Sequence, residues 1–78
     1  MDKTLLNQIT TIFKDVLQNE NIELTESSSA KDVDGWESAT HMMIITEIEN
    51  QFDIEFELDE LWGMKNIGDL IGILKSKI

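Results

Sequence analysis

The sequence predicts an all-α fold, a small bundle of three main helices plus one short helix with a long first loop. Three observations carry that reading. Three segments repeat apolar residues at the spacing of an amphipathic helix. No segment alternates over enough residues to form a strand. A stretch from Asn19 to Glu37, holding Ser27-Ser28-Ser29 and Asp34-Gly35, breaks the periodicity with loop chemistry.

The first helix is expected from about Lys3 to Gln18. Leu5, Leu6, Ile9, Ile12, Phe13, Val16 and Leu17 form its stripe, and Asp2 is placed to cap it. The loop that follows is long for a compact domain, and such loops are often functional. Ile22, Leu24 and Val33 are the residues that can pin it to the core. The second helix is expected from Ser38 to Phe52. His41, Ile44, Ile45, Ile48 and Phe52 fall on one arc, and Ala39, Met43, Thr46 and Asn50 on the other side. Ala39 and Met43 then make a small outward apolar patch beside Ser38. Asp53 to Glu57 is a connector, and Leu58 to Trp62 a short helix stopped at Gly63. Trp62 is expected to plug the core rather than to anchor a partner. The last helix starts near Asn66. Asp69 suits its N-terminus and Lys75 and Lys77 its C-terminus, by the helix dipole. Gly68 and Gly72 weaken it, by up to about 1 kcal/mol each relative to Ala.

Length and composition narrow the function. The 78 residues, read as one domain over 1–78, leave little room for both a deep pocket and a catalytic constellation, so the chain is not expected to be an enzyme. Without cysteine there is no disulfide, thiolate site or thiol nucleophile, and no metal site is expected. Any thiol chemistry must be brought in from outside. Apolar stretches are too short to span a membrane, and Met1-Asp2-Lys3 opens directly into an amphipathic pattern without a signal-peptide core. A cytoplasmic, monomeric protein is expected. Sixteen acidic residues against six basic ones leave a net charge of −10. That disfavours nucleic acid and membrane surfaces and favours basic protein surfaces.

The chemistry concentrates in Asp32-Val33-Asp34-Gly35-Trp36-Glu37-Ser38-Ala39. A calcium loop fails on spacing. With Gly35 at the sixth position, Ala30 and His41 occupy the first and twelfth, where carboxylates are needed. Ser38 with His41 as a nucleophile–base pair is poorly supported: there is no Gly-x-Ser-x-Gly elbow, and the single His sits inside the apolar arc. Two readings of Ser38 remain. It stands where an ordinary N-cap serine would stand. It also stands where a phosphodiester would meet unpaired N–H groups and the positive end of a helix dipole.

The run from Asp32 to Phe56 resembles the phosphopantetheine region of acyl carrier proteins, in which Asp-Ser-Leu opens a helix of apolar and acidic residues that ends near Glu-x-x-Phe-x-Ile-x-Phe. The likeness continues through Met64-Lys65-Asn66-Ile67-Gly68-Asp69-Leu70-Ile71 and, with the first stripe, covers nearly the whole chain. The Trp36-x-Ser38-x-x-His41 form is most similar to discrete carriers of specialised pathways. Glu37 and Ala39 depart from the family's usual Asp and Leu.

The resemblance implies a covalent 4'-phosphopantetheine on Ser38, added by a phosphopantetheinyl transferase from coenzyme A, whose thiol holds acyl groups as thioesters. It implies service to acyl-transfer or synthase enzymes with basic surfaces, in fatty acid or polyketide-like biosynthesis. An aminoacyl or peptidyl carrier, or an unmodified acidic interaction module, is the alternative. The partner face would comprise Glu37, Ala39, Met43, Glu47, Glu49, Glu55, Glu57, Asp59 and Glu60. A shelter for the acyl chain would be lined by Ile44, Ile48, Phe56, Leu61, Met64 and Ile67. The same six residues also read as ordinary core.

Overall fold

A computed structural model describes residues 3–78, with Trp62 described in its backbone only. The expectations for Asp2 as a cap and for the Trp62 side chain lie outside what is described. Four helices follow in order: α1 (Lys3–Leu17), α2 (Ser38–Phe52), α3 (Leu58–Trp62) and α4 (Ile67–Lys77). No strand occurs among the described residues, so the all-α architecture with one short helix stands as expected.

The stripes meet in one core. Leu5, Ile9, Ile12 and Phe13 of α1 pack with Ile44, Ile45 and Ile48 of α2 and Ile67, Leu70, Ile71 and Leu74 of α4. The closest helix pair is α1 with α2. The helix ends follow local chemistry. α1 gives way at Gln18, which adopts the left-handed conformation (φ 53°) while Asn19 N–H returns to Lys14 O. α2 ends the same way at Asp53 (φ 55°). At the start of α4, Asn66 Oδ1 accepts from Asp69 N–H, and Asp69 Oδ2 accepts from Lys65 N–H, so the two side chains close the first turn reciprocally.

The long first loop is ordered by a chain of turns. Ser28 Oγ accepts from Thr25 N–H, and Asp32 Oδ2 accepts from Ser29 N–H. Ile22, Leu24 and Val33 are buried, as expected, and so are Trp36 and Ser28. The loop also caps α4: Ser28 O and Glu26 O accept the N–H groups of Ile67 and Gly68. These two donors belong to the helix's first turn and have no intrahelical acceptor. The segment preceding α2 is thus fastened to the N-terminal turn of α4.

Candidate functional site

The start of α2 is built by residues on either side of Ser38. Gly35 takes a positive φ of 86°, a conformation that side chains disfavour, and this turns the chain into Trp36 and Glu37. Glu37 is extended and occupies the capping position, one residue earlier than the N-cap reading of Ser38 requires. Thr40 Oγ1 accepts from Glu37 N–H at 2.9 Å and donates to Gly35 O. Ser38 is therefore the first helical residue, not the cap. Its side chain is exposed, and its hydroxyl makes no hydrogen bond among the described residues.

Behind Ser38 the ring of Trp36 is buried against Phe13, edge to face with centroids 4.9 Å apart. Its indole Nε1–H donates to Nδ1 of His41 at 3.0 Å. Burial pushes the His41 imidazole below its ordinary value of 6.5, toward the neutral form. The ring nitrogen that accepts from Trp36 cannot also take a proton from Ser38, and no Ser38–His41 hydrogen bond is present. A nucleophile–base pair is not assembled.

A depression of about 460 Å³ opens beside Ser38. Ala30 and Trp36 of the loop contribute to its wall, with Glu37, Ser38 and His41 at the start of α2. Leu61 of α3 and Met64 and Lys65 of the α3–α4 connector complete it. An exposed, uncommitted hydroxyl at a helix N-terminus, next to a wall mostly of apolar groups with one ammonium and one carboxylate, fits a phosphodiester continued by a slender chain. Of the six residues expected to shelter an acyl chain, Leu61 and Met64 line this depression. Phe56 is half-buried on the edge of the core, and Ile44, Ile48 and Ile67 are wholly buried within it.

The residues expected to meet partners divide into two groups. Glu37, Ala39, Met43, Glu47, Glu55, Glu57 and Asp59 are exposed. Glu49 and Glu60 are half-buried and have internal work. Glu49 Oε2 accepts from Phe56 N–H at 2.8 Å. Glu60 Oε1 accepts from Glu57 N–H and pairs with Lys77 Nζ at 2.8 Å. The Glu57 N–H and the Lys77 ammonium hold the Glu60 carboxyl below its usual value, and Glu60 raises the Lys77 ammonium in turn. Met42, not singled out from the sequence, is about as exposed as Met43, and the two line a groove with Asp15 and Val16 of α1. Met42 lies between the inward arc and the outward patch of α2, so periodicity alone assigns it to neither.

Among the described residues no cluster of His, Cys, Asp and Glu could hold a metal ion, and no helix is long and apolar enough to cross a membrane. Residues 7–74 match the family described as phosphopantetheine attachment site. An acyl carrier protein of Streptococcus pyogenes is 30% identical over 73 residues, covering 94% of this chain and 95% of the relative. One from Exiguobacterium sibiricum is 29% identical over 62 residues, 80% of this chain and 78% of the relative. The solution NMR structure of a holo acyl carrier protein from Geobacter metallireducens superposes with a TM-score of 0.86 at 40% identity, over 92% of this chain and 83% of the other.

Proposed function

The chain belongs to the phosphopantetheine attachment family, as an acyl carrier protein bearing that group covalently, and from this premise we propose that Ser38 is the residue that carries it. The observation that supports Ser38 is its position: the first residue of α2, exposed, with a hydroxyl that the capping arrangement leaves unused. The N-cap position is held by Glu37, and Thr40 Oγ1 takes the Glu37 N–H, so neither contact draws on the Ser38 hydroxyl. Ser38 Oγ can therefore be esterified without loss of an internal contact. The N–H groups of the first turn and the helix dipole then face the added negative charge.

When bound, phosphopantetheine supplies the thiol that this cysteine-free chain lacks, and through it holds acyl groups. The protein's own part is to present Ser38 from a turn fixed by Gly35 and Thr40, and to carry an address for other enzymes. That address is the exposed acidic surface from Glu47 through Asp59, with Met42, Met43 and Ala39 as its apolar contacts. Charges of this kind steer encounter and orientation more than they add affinity. The partners are a phosphopantetheinyl transferase and acyl-transfer or synthase enzymes with basic docking surfaces, in fatty acid or specialised biosynthesis.

The test is mass spectrometry after incubation with coenzyme A and a broad-specificity transferase. The expected result is a gain of one phosphopantetheine on the parent chain and none on Ser38→Ala. Undiminished loading of Ser38→Ala would overturn the assignment.

A further inference from the structure

The Trp36–His41 hydrogen bond has no part in presenting the Ser38 hydroxyl, yet it fixes the chemistry of the wall beside it. A buried indole N–H requires an acceptor, and here that acceptor is His41 Nδ1 at 3.0 Å. A ring nitrogen that accepts carries no proton, so the proton of the neutral imidazole resides on Nε2. Nε2 has no partner among the described residues, and no buried side-chain nitrogen or oxygen is left unpaired there, so Nε2–H opens to solvent. His41 lines the same depression as Ser38. The two are three residues apart on α2, a separation that brings their Cβ atoms to within about 5–6 Å on one helix face.

Resting on Ser38 as the attachment residue, we propose that His41, held by Trp36 as its Nε2–H tautomer, is a positioning residue that donates a hydrogen bond to the phosphodiester of the arm. Among the described lining residues Lys65 is the one cation and Glu37 the one carboxylate, so the two balance, and the groups from the loop, α3 and the connector are otherwise Ala30, Trp36, Leu61 and Met64, none of which opposes an anion. The Trp36–His41 pair thus fixes the root of the arm and leaves its distal end free to reach between enzymes.

The experiment compares the unloaded and phosphopantetheine-loaded protein, labelled with nitrogen-15, by long-range ring correlations of the single His, with loading verified by mass. The Nε2–H tautomer is expected before loading. On loading, the Nε2 signal shifts and the imidazole pKa rises, because the phosphodiester stabilises the protonated ring. In loaded His41→Phe, the phosphorus-31 signal should sharpen as the root of the arm gains mobility. Trp36→Phe provides a second variant, in which the tautomer bias and the loading-induced shift both diminish. Fully loaded protein whose His41 signals and titration match the unloaded form would overturn the inference while leaving Ser38 as the attachment residue. Absence of phosphopantetheine from Ser38 would instead remove the reading on which it rests.

Discussion

Gly68 donates its N–H to the carbonyl oxygen of Glu26 at 2.8 Å, and a Cβ built on Gly68 would stand 3.1 Å from that same oxygen. The loop before α2 and the first turn of α4 are in contact through a position with no side chain. In the same place the added carbon would be 3.0 Å from Glu26 Cγ and 3.3 Å from Asn66 Oδ1. The Glu26 side chain can swing away, but its carbonyl can move only with the loop.

Gly68→Ala is therefore expected to destabilise. Overpacking costs about 1–3 kcal/mol, and the better helix propensity of Ala returns up to about 1 kcal/mol. A net loss on the order of 1 kcal/mol should appear as a lower urea midpoint. Amide exchange should quicken at Ile67 and Gly68, whose N–H groups depend on the loop carbonyls. An unchanged midpoint would mean that the loop yields at no cost.

Gly72 sits in the same helix with nothing within 4 Å of an added Cβ, and it is exposed. Gly72→Ala should stabilise by about 0.5–1 kcal/mol, through the smaller conformational entropy of the unfolded chain. In a domain of this size that corresponds to a rise of several degrees in Tm. The sequence treats both glycines alike as helix weakeners. Only the contact with Glu26 separates them.

His41 gives the stability a pH dependence. Its folded-state pKa is depressed from 6.5 by burial, so the unfolded chain takes up its proton first as the pH falls. The contribution is complete above about pH 6.5 and is lost as the pH falls through the folded pKa. Protonation also costs the acceptor at Nδ1, leaving the buried Trp36 Nε1–H without its partner. Urea midpoints at about pH 7.5 and 5.5 should fall more in the parent than in His41→Gln. Taking the difference between the two proteins removes the effect of the many carboxylates, which they share. Equal falls would show that His41 does not couple to folding.

The elements that bury a stripe were legible because periodicity reports burial: α1, α2 and α4 lie where their apolar residues recur. The short α3 was legible from Gly63 as a stop. Trp36 was not legible as core, since it lies in a loop, where no period assigns a face. Its burial depends on Phe13, twenty-odd residues away in the chain. Ser38 was placed at the helix start, yet its exact role there was open. Whether it capped the helix turned on Glu37, which is extended and takes the N-cap position, leaving Ser38 as the first helical residue. Glu49 and Glu60 read as surface charges because nothing in an acidic sequence marks which carboxylate a later N–H will select.

Glu49 illustrates the consequence. Its carboxylate fixes the connector by accepting from Phe56 N–H, and its carbonyl accepts from the N–H groups of Asp53 and Ile54. Glu49→Ala removes the side-chain acceptor and should cost about 1–2 kcal/mol, the range for a hydrogen bond to a charged group that is only partly buried. Glu47→Ala, at an exposed site without such a contact, should change stability by less than about 0.5 kcal/mol. Chemical denaturation of both variants decides it, and equal stabilities would show that the Phe56 contact contributes nothing net. Any partner-binding defect in Glu49→Ala must be judged against this loss.

Ala39 offers a test of recognition that leaves the core untouched. It is exposed beside Ser38, where the family resemblance leads one to expect Leu. A transferase that reaches Ser38 must cover this position. Leu adds apolar area there, and at about 25 cal/mol per Å² a well-covered side chain could contribute on the order of 1–2 kcal/mol of docking. Ala39→Leu is therefore expected to raise loading efficiency with a generic transferase several-fold, mainly through KM, because the added contact is made in substrate binding and in the transition state alike. Glu37→Asp should change less. It keeps the charge, and it keeps the backbone N–H that Thr40 Oγ1 accepts. A transferase dedicated to this chain should be indifferent to Ala39→Leu or impaired by it. Loading kinetics of both single variants and the double variant supply the measurement. Rates equal to the parent in all three would show that the surface flanking Ser38 does not gate its modification.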